Sequence, residues 1–339
     1  MRKVMTAVFV ILMLSAMTAQ LFAEDANLSI YEIQYTENPD GSSYYDQQYV
    51  NCNGGIVIHK YQKGTGMQRV FLYDPNHPDG WGGIQVRADV NSLLDDVNVG
   101  DWISLENVLV SDPAFNEADP YKARGNTILF YDDSSSSYAV LNTDNSLPEP
   151  LPVLVSEISA PVYDDFNDTW FVIDHGAEKY EGMYLKIIDV AVGEMELGKA
   201  TDNYVLYKAN DPNICCWASD YMNIDKPPDP NEYLQVVQTG QHFCGVNGIL
   251  EQYTKLSDGW DYYQLLTTSI DDFVIEQTAD LDGDCDVDFV DFGLFAYYWL
   301  TEEQCSEPDW CGGADFTQDE YVNIFDLRKF SENWLAGKY

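Results

Sequence analysis

The sequence predicts a mainly β protein with a small α-helical domain at its C-terminus. Two five-stranded β-barrels come first, and a pair of acidic loop–helix repeats follows. Three observations support this. Residues 24–277 contain short segments rich in Val, Ile and Tyr, separated by Gly, Asn, Asp and Pro, which is typical of strands. The two halves of that region resemble each other. From residue 278 onward the pattern gives way to regularly spaced aspartates.

The composition limits the classes of partner. The chain has 339 residues, with 17 Lys and Arg against 57 Asp and Glu and a formal net charge of −40. It is also 45% hydrophobic, which is too apolar for a disordered acidic chain. Affinity for nucleic-acid phosphates or for anionic lipids needs clustered Lys and Arg. We therefore expect no nucleic-acid partner. Divalent cations and polysaccharides remain as the candidate classes of partner.

The N-terminus has the features of a secretory signal peptide. The positive pair Arg2-Lys3 precedes an apolar run from Val4 to Met17, and small residues follow at Ala19 and Ala23. The run is shorter than the roughly 20 apolar residues of a membrane-spanning helix, so cleavage is favoured over a retained anchor. We expect residues 1–23 to be removed, at Ala19 or Ala23. The mature protein is then secreted, either extracellular or at the cell surface, with no membrane span.

Export also makes disulfide bonds possible. The chain has seven cysteines, so at least one is free, bound to metal or paired between chains. Their irregular spacing does not form the paired C-x-x-C of a zinc site. In the C-terminal domain, we expect Cys285 to form a disulfide with Cys305 or Cys311. In the second barrel, we expect Cys244 to form one with Cys215 or Cys216.

Two breaks divide the mature chain. Residues 147–152 read Leu-Pro-Glu-Pro-Leu-Pro, which predicts a stiff polyproline linker. The density of Asp rises and the strand pattern ends near Asp280. We therefore expect a first barrel over 24–150, a second barrel over 151–277 and the C-terminal domain over 278–339.

Ten strand candidates fill the two barrel modules, five in each. They are apolar or alternating runs bounded by turn residues. In the first module they are Val50 to Tyr61, Arg69 to Tyr73, Gly83 to Val86, Trp102 to Val110 and Thr127 to Tyr131. In the second module they are Tyr184 to Val192, Tyr204 to Lys208, Ile214 to Ala218, Phe243 to Gln252 and Tyr262 to Thr267.

The two modules share an internal repeat. Gly100-Asp101-Trp102 matches Gly240-Gln241-His242 at an offset of 140 residues. Both modules run from a long strand through a hairpin to this glycine turn and a last pair of strands. Five strands in that order fit a small closed barrel, and a β-sandwich spacer is the alternative.

A sequence phrase in the first module carries a family resemblance. Val97 to Val108 reads V-x-V-G-D-x-I-x-L-x-N-V. The segment resembles the OB-fold modules of secreted bacterial proteins, including modules beside extracellular nucleases. The resemblance implies a binding module, although the fold does not dictate a function. An accessory role in extracellular nucleic-acid processing is therefore an alternative, and the module net charges of −14 and −16 argue against it.

Two tryptophans are candidates for stacking on sugar rings. Trp81 lies in a glycine-rich loop, and Trp260 follows Asp258-Gly259 in a predicted hairpin turn. Aromatic residues favour strands, where most of them fill the core. We therefore expect the remaining rings of the two barrels to be structural.

The C-terminal segment carries the most specific pattern in the chain. With Asp280 as position 1, acidic residues occupy positions 1, 3, 5, 9 and 12, where an EF-hand loop places side-chain ligands for Ca²⁺. Ca²⁺ takes about six to eight hard oxygen ligands, and a tight loop presents alternate residues to it. The expected ligands of this first loop, including the position-7 carbonyl of Asp286, are Asp280, Asp282, Asp284, Asp286, Asp288 and Asp291.

A second loop repeats the first at an offset of 35 residues, and the register continues into the following helix, where Phe295 corresponds to Phe330. Position 6, usually the glycine of a sharp turn, is Cys285 in the first loop and Glu320 in the second, so we expect strained left-handed backbone there. Because Thr317 replaces an acid at position 3, we expect the second calcium site to be weaker. The expected ligands of the second loop are Asp315, Thr317, Asp319, Tyr321 through its carbonyl, Asn323 and Asp326.

This doublet resembles the type I dockerin domain, the calcium-dependent docking module of cellulosome-like systems. The resemblance covers about residues 279–336. In its cysteines and its helix ends, the segment is similar to the dockerin-like tails of secreted planctomycete-type proteins. It implies two calcium sites, a compact three-helix fold and a cohesin-like or other extracellular scaffold protein as partner. Positions 10 and 11, which read the partner in dockerins, are Phe289-Val290 and Ile324-Phe325. We expect these apolar pairs either to bind a hydrophobic partner or to pack against the barrels. For the C-terminal segment as a whole, the alternative to a calcium-binding domain is a solvated acidic tail.

We find no catalytic motif in the sequence. Its four histidines form no zinc-binding pattern, and there is no nucleophile elbow and no phosphate-binding glycine loop. Among 57 acids, paired carboxylates say nothing about glycosidase chemistry. We therefore expect a non-catalytic component of an extracellular polysaccharide-degrading or surface assembly, with calcium as its cofactor. A glycoside hydrolase without a recognisable motif is the remaining alternative.

Overall fold

The computed structural model describes residues 27–39, 41–62, 68–88, 96–112, 125–195, 203–209, 211–220, 222, 239–255, 260–274, 278–283, 285–301 and 304–335. The expected signal peptide lies outside these residues. The described chain divides into two compact units. The first contains the described residues up to Leu147 apart from 38–41 and 125–126. The second contains those two segments and the described chain from Pro148 onward.

The first unit contains all five strands predicted for it, each within two residues of its expected ends. Two short strands and one helix were not predicted. In chain order the elements are β1 (Asn27–Leu28), α1 (Ile30–Gln34), β2 (Tyr49–Tyr61), β3 (Gln68–Tyr73), β4 (Gly83–Ala88), β5 (Trp102–Ser111), β6 (Ile128–Tyr131) and β7 (Ser137–Asn142).

Five of these strands close into a barrel. They pair in the order β2-β3-β4-β6-β5, and β5 pairs back onto β2. Neighbours are antiparallel except β4 and β6, which are parallel. This is the strand order of an OB fold, so the prediction of an OB-like barrel is confirmed. Buried apolar side chains fill its interior, among them Val57, Val70, Leu72, Ile84, Val86, Ile103, Leu105 and Leu129.

Helix α1 closes one part of this core. Ser29 caps it, because its Oγ accepts the Glu32 N–H at 3.2 Å while the Glu32 carboxylate accepts the Ser29 N–H at 2.8 Å. These hydrogen bonds lower the pKa of Glu32. The side chains of Ile30 and Ile33 in this helix are fully buried in the core of the first unit. The pattern S-x-x-E before an apolar residue was the available sequence signal for this helix.

The second unit contains the other five predicted strands, each within three residues of its expected ends. Its strands are β8 (Leu151–Leu154), β9 (Val162–Asp164), β10 (Thr169–Phe171), β11 (Tyr184–Met195), β12 (Asn203–Lys208), β13 (Asp211–Ser219), β14 (His242–Lys255), β15 (Trp260–Leu266) and β16 (Phe273–Val274). Short 3₁₀ turns lie at Val155–Glu157, Glu178–Tyr180 and Ile270–Asp272.

The second barrel repeats the first. Its strands pair in the order β11-β12-β13-β15-β14, and β14 also pairs with β11. The third and fifth strands, β13 and β15, are again the parallel pair. Glycine turns precede the fourth strand in both barrels: the N–H of Gly100 (φ 93°) donates to Val57 at 2.9 Å, and that of Gly240 (φ 85°) donates to Val192 at 2.7 Å. The 140-residue repeat in the sequence is therefore a repeat in structure.

The prediction of a linker at 147–152 is wrong for its second half. Residues Leu151–Leu154 form β8, which pairs in parallel with β11. The reason is burial, because Val153 is almost completely buried. Pro152 is tolerated because β8 pairs with one neighbour only and needs fewer N–H donors than a central strand.

The C-terminal repeats form a small helical part of the second unit. Helix α2 spans Phe289–Thr301 and α3 spans Ile324–Glu332, with Phe295 and Phe330 in their shared core. The three helices implied by the resemblance are not found in residues 278–335 as described. Backbone with positive φ from residue 310 to 313 interrupts the stretch between α2 and α3, and such backbone cannot be helical. No described helix is both long and apolar enough to cross a membrane.

The disulfides differ from the expected pairs. Cys244 bonds to Cys285, and Cys305 bonds to Cys311. Cys52, Cys215 and Cys216 are free. The prediction for Cys244 failed because β15 lies between β13, which carries Cys215 and Cys216, and β14, which carries Cys244.

We expect His59 of β2 to make the first barrel less stable in acid. Its Nε2 is buried without a hydrogen-bond partner among the described residues, and burial lowers its pKa from 6.5 to about 4. Between these values the unfolded state binds more protons, so stability falls as pH falls from 6.5 towards 4. His59→Phe should remove about 1–2 kcal/mol of the loss between pH 7 and pH 5.

Urea unfolding of the unmodified chain and of His59→Phe at the two pH values measures this difference. The pH dependence of the variant should be shallower, whatever its stability at pH 7. An unchanged dependence would contradict the assignment.

Candidate metal centre

The first acidic loop is held together by a buried aspartate at position 12. Asp291, in the first turn of α2, is completely buried. Its Oδ1 accepts the N–H of Leu281 at 2.6 Å, and its Oδ2 accepts the N–H of Asp288 at 2.7 Å. One carboxylate therefore joins the beginning of the loop to its end.

Asp280 at position 1 organises the middle of the same loop. Its Oδ1 accepts the N–H of Gly283 at 2.8 Å, and its Oδ2 accepts the N–H of Cys285 at 2.9 Å. Backbone donors thus turn both carboxylates towards the loop interior. Asp284, expected at position 5, lies outside the described residues.

The second loop reproduces three contacts of the first: position 12 accepts the N–H groups of positions 3 and 9, and position 1 accepts that of position 6. In the first loop the position-3 donor is Asp282, whose N–H lies 3.3 Å from Asp291 Oδ1. Asp326, also completely buried, accepts the N–H of Thr317 at 2.8 Å and that of Asn323 at 2.9 Å. Asp315 accepts the N–H of Asp319 at 3.2 Å and that of Glu320 at 2.9 Å. The offset of 35 residues therefore holds for these three hydrogen bonds as well as for the sequence, whereas the other donor to position 1 is Gly283 at position 4 in the first loop and Asp319 at position 5 in the second.

The backbone of the two loops also agrees. Position 4 is left-handed in both, with φ 76° at Gly283 and 52° at Gln318. Position 6 is left-handed too, with φ 74° at Cys285 and 77° at Glu320. The expected left-handed backbone at position 6 is therefore present without glycine, which costs on the order of 1–3 kcal/mol at each site.

Among the described residues of the loops, three groups of carboxylates converge. Within each group, one oxygen from every member lies within 4.8 Å of the others. The groups are Asp280 with Asp282 and Asp291, Asp286 with Asp288 and Asp291, and Asp315 with Asp319 and Asp326. Hard oxygens at this density fit a divalent cation such as Ca²⁺. Burying several carboxylates together is otherwise unfavourable.

The second loop has fewer acidic side chains for a cation. Thr317 donates its hydroxyl to Asp326 at 3.0 Å. The Asn323 amide donates to the carbonyl of Tyr321 at 3.0 Å, while its Oδ1 accepts the N–H of Phe325 and caps α3. These neutral groups occupy positions 3, 7 and 9.

The residues at positions 10 and 11 are exposed. Phe289 and Val290 are 74% and 54% exposed, and Ile324 and Phe325 are 60% and 64% exposed. They are not buried against a barrel. Phe289 also borders a cavity of about 210 Å³ between α2 and α3, lined by Phe289, Phe292, Leu327, Phe330, Ser331 and Trp334.

Two parts of this site are not among the residues predicted from the sequence. Phe292 and Trp334 line the cavity, and Phe292 could have been found because it lies one helical turn from Phe289. Cys244 contacts the first loop through its disulfide to Cys285. No sequence signal connects Cys244 with Cys285, because the contact arises only from the folded barrel.

The two candidate stacking residues lie one in each barrel module. Trp81 is half-buried, has φ 63°, and places its ring edge-on to Tyr35 with the centroids 5.6 Å apart. Beside it, Tyr31 stacks on His77 at 4.2 Å. Trp260 is half-buried at the start of β15, with its ring 6.5 Å from that of Tyr262. The predicted hairpin turn before Trp260 lies outside the described residues.

No protein-family model and no curated protein matches the chain. Solved OB-fold structures resemble it. The OB domain of a Methanosarcina mazei protein is 19% identical over 29% of this chain and 77% of that chain, with a TM-score of 0.22. Fission yeast Pot1 with single-stranded DNA is 14% identical over 72% and 84%, with a TM-score of 0.29. The assignment of the fold rests on the strand order of the two barrels.

Two glycines provide a matched test of the loop backbone. A Cβ at Gly283 or at Gly293 would meet nothing within 4 Å, but only Gly283 has a positive φ. We expect Gly283→Ala to destabilise the C-terminal repeats by about 1–2 kcal/mol because of the left-handed backbone. Gly293→Ala, inside α2, should stabilise them by about 1 kcal/mol. Guanidinium unfolding measures both, and a loss of stability in both variants would contradict this account.

Proposed function

We propose that this chain is a secreted, non-catalytic adaptor. Its C-terminal repeats bind Ca²⁺ and dock two OB-fold barrels onto an extracellular assembly that handles polysaccharide. The observation that carries the proposal is the agreement of the two acidic loops in three respects: the carboxylates at positions 1 and 12, the hydrogen bonds that these accept from positions 3, 6 and 9, and the left-handed backbone at positions 4 and 6. An acidic tail that serves only solubility has no need of this agreement.

Calcium would be held by the carboxylates that already face each loop interior. In the first loop Asp280 and Asp291 are oriented by backbone N–H groups, and their neighbours at positions 3, 5 and 9 are acidic. In the second loop Thr317 and Asn323 take two of these places. Because affinity rises with the number of charged ligands, the first site should be the tighter one.

Two substitutions separate the two sites. Asp282 and Asp319 are exposed, so replacing either with Asn should leave the fold intact. We expect the unmodified chain to bind two Ca²⁺ ions in calorimetry. Asp282→Asn should weaken the first site about tenfold or more, and Asp319→Asn should do the same at the second. Asp271→Asn, exposed and outside both loops, is the control, and an absence of calcium binding in the unmodified chain would refute the proposal.

The docking surface would be the exposed apolar pairs at positions 10 and 11. Phe289 and Ile324 begin α2 and α3, two residues before the buried aspartates at position 12. A cation in either loop would therefore fix the helix turn that presents these side chains. Exposed apolar side chains grouped in this way are typical of protein–protein contacts, and a cohesin-like or other extracellular scaffold protein is the proposed partner.

A panel of recombinant cohesin modules tests the partner class by surface plasmon resonance. With Ca²⁺ present, we expect at least one module to bind the unmodified chain. Phe289→Glu and Phe325→Glu should each weaken that binding at least about 30-fold, as at an interface hot spot. Phe166→Glu is the control, because Phe166 is 93% exposed on the β9–β10 turn. Binding that is equal in all variants, or absent throughout, would count against this partner.

Secretion and the polysaccharide role are supported by different features. Two disulfides are typical of an oxidising compartment, which agrees with the N-terminal signal pattern. The acidic barrels repel anionic polymers and accept neutral ones. Trp81, with the Tyr31, Tyr35 and His77 rings beside it, is the proposed sugar-stacking position in the first barrel, and Trp260 is that in the second.

A further inference from the structure

The first acidic loop is covalently joined to the second barrel at the residue that sets its turn. Cys285 at position 6 forms a disulfide with Cys244 of β14, which lies 41 residues earlier. Both side chains are buried. An EF-hand loop usually has glycine at this position, so the cysteine is not explained by the geometry of the loop alone.

Position 6 controls the orientation of a carboxylate at position 1. Cys285 has φ 74°, and its N–H donates to Asp280 Oδ2 at 2.9 Å. Rotation to the right-handed conformation that a non-glycine residue prefers would turn this N–H away from Asp280. Left-handed backbone at such residues persists only where the surrounding structure enforces it.

The barrel side of the disulfide is held on several sides. Cys244 lies between Phe243 and Gly245, which pair with Val190 and Ile188 of β11. Gly245 also pairs with Val274 of β16. The sulfur of Cys244 is therefore anchored on a strand with neighbours on both edges, and it fixes the place of Cys285.

The second loop is an internal reference without this bond. Glu320 occupies position 6 with φ 77°, and its N–H donates to Asp315 at the same 2.9 Å. Its side chain is exposed and cannot form a disulfide. An effect of the Cys244–Cys285 bond should therefore appear at the first loop and not at the second.

We propose that the Cys244–Cys285 disulfide is a positioning element for the first cation site, so that the affinity of this loop for Ca²⁺ depends on the redox state of the bond. The inference rests on the calcium proposal above. With the bond intact, the left-handed turn exists before the ion binds, and less binding free energy is spent on ordering the loop. The coupling is reciprocal, so bound Ca²⁺ also protects the disulfide from reduction.

The redox step needs only a dithiol. The dithiol transfers two electrons and two protons to the disulfide, which becomes the two thiols of Cys244 and Cys285, and the dithiol closes into its own cyclic disulfide. The loop is then tied to the barrel through the polypeptide chain alone.

Cys244→Ser tests the proposal because it removes the bond without changing a residue of the loop. In calorimetry with Ca²⁺ on the full chain, we expect the affinity of the first site to fall about tenfold or more and that of the second site to stay unchanged. Asp319→Asn, combined with Cys244→Ser, weakens the second site and so identifies the affected one. Cys215→Ser, which removes a free thiol of β13, should change neither.

A second measurement uses the unmodified chain and does not depend on how a cysteine variant folds. Dithiothreitol reduces the protein, and alkylation followed by mass spectrometry gives the rate for each disulfide. Ca²⁺ should slow reduction of Cys244–Cys285 about tenfold, and Asp282→Asn should abolish this protection. Unchanged affinity in Cys244→Ser together with no protection would overturn the inference and leave the calcium proposal standing. No calcium binding in the unmodified chain would overturn both.

Discussion

Each barrel depends on the pairing of its first strand with its fourth. β2 pairs with β5 in the first barrel and β11 pairs with β14 in the second. These contacts close the sheets, so the barrel strands lose their free edges and turn their apolar side chains towards one core. The glycine turns at Gly100 and Gly240 bring the fourth strand back to the first, since their N–H groups bond to it directly.

The same closure determines where the C-terminal repeats are anchored. β14 lies between β11 and β15, and it carries Cys244. The repeats have a small apolar core around Phe295 and Phe330, and domains of this size usually need disulfides or metal ions in addition. The chain supplies one disulfide within the repeats and another from β14 to the first loop. The proposed cations would stabilise the repeats in addition to the apolar core and the disulfides.

The negative charge of the chain is arranged in two ways. Residues 278–339 contain 15 acidic and 3 basic residues, and several of the acids converge inside the loops. Backbone N–H groups orient Asp291 and Asp326 but carry only partial charge, so the mutual repulsion of the carboxylates remains. A divalent cation would turn that repulsion into attraction. Because position 12 lies in the first helical turn, the same event would order the exposed residues at positions 10 and 11.

The sequence by itself determined the ten barrel strands, the glycine turns and the spacing of the acidic loops. These features are local: alternation, turn residues and ligand spacing act over a few neighbouring residues. Edge strands such as β8 and β9 were missed because they are short and gain their stability from their partners in the fold. Only the tertiary structure decided that Cys244 meets Cys285 and that Phe289 and Phe325 stay exposed. Both outcomes depend on which surfaces the closed barrel and the paired helices bring together. The spacing of residues along the chain does not determine these contacts.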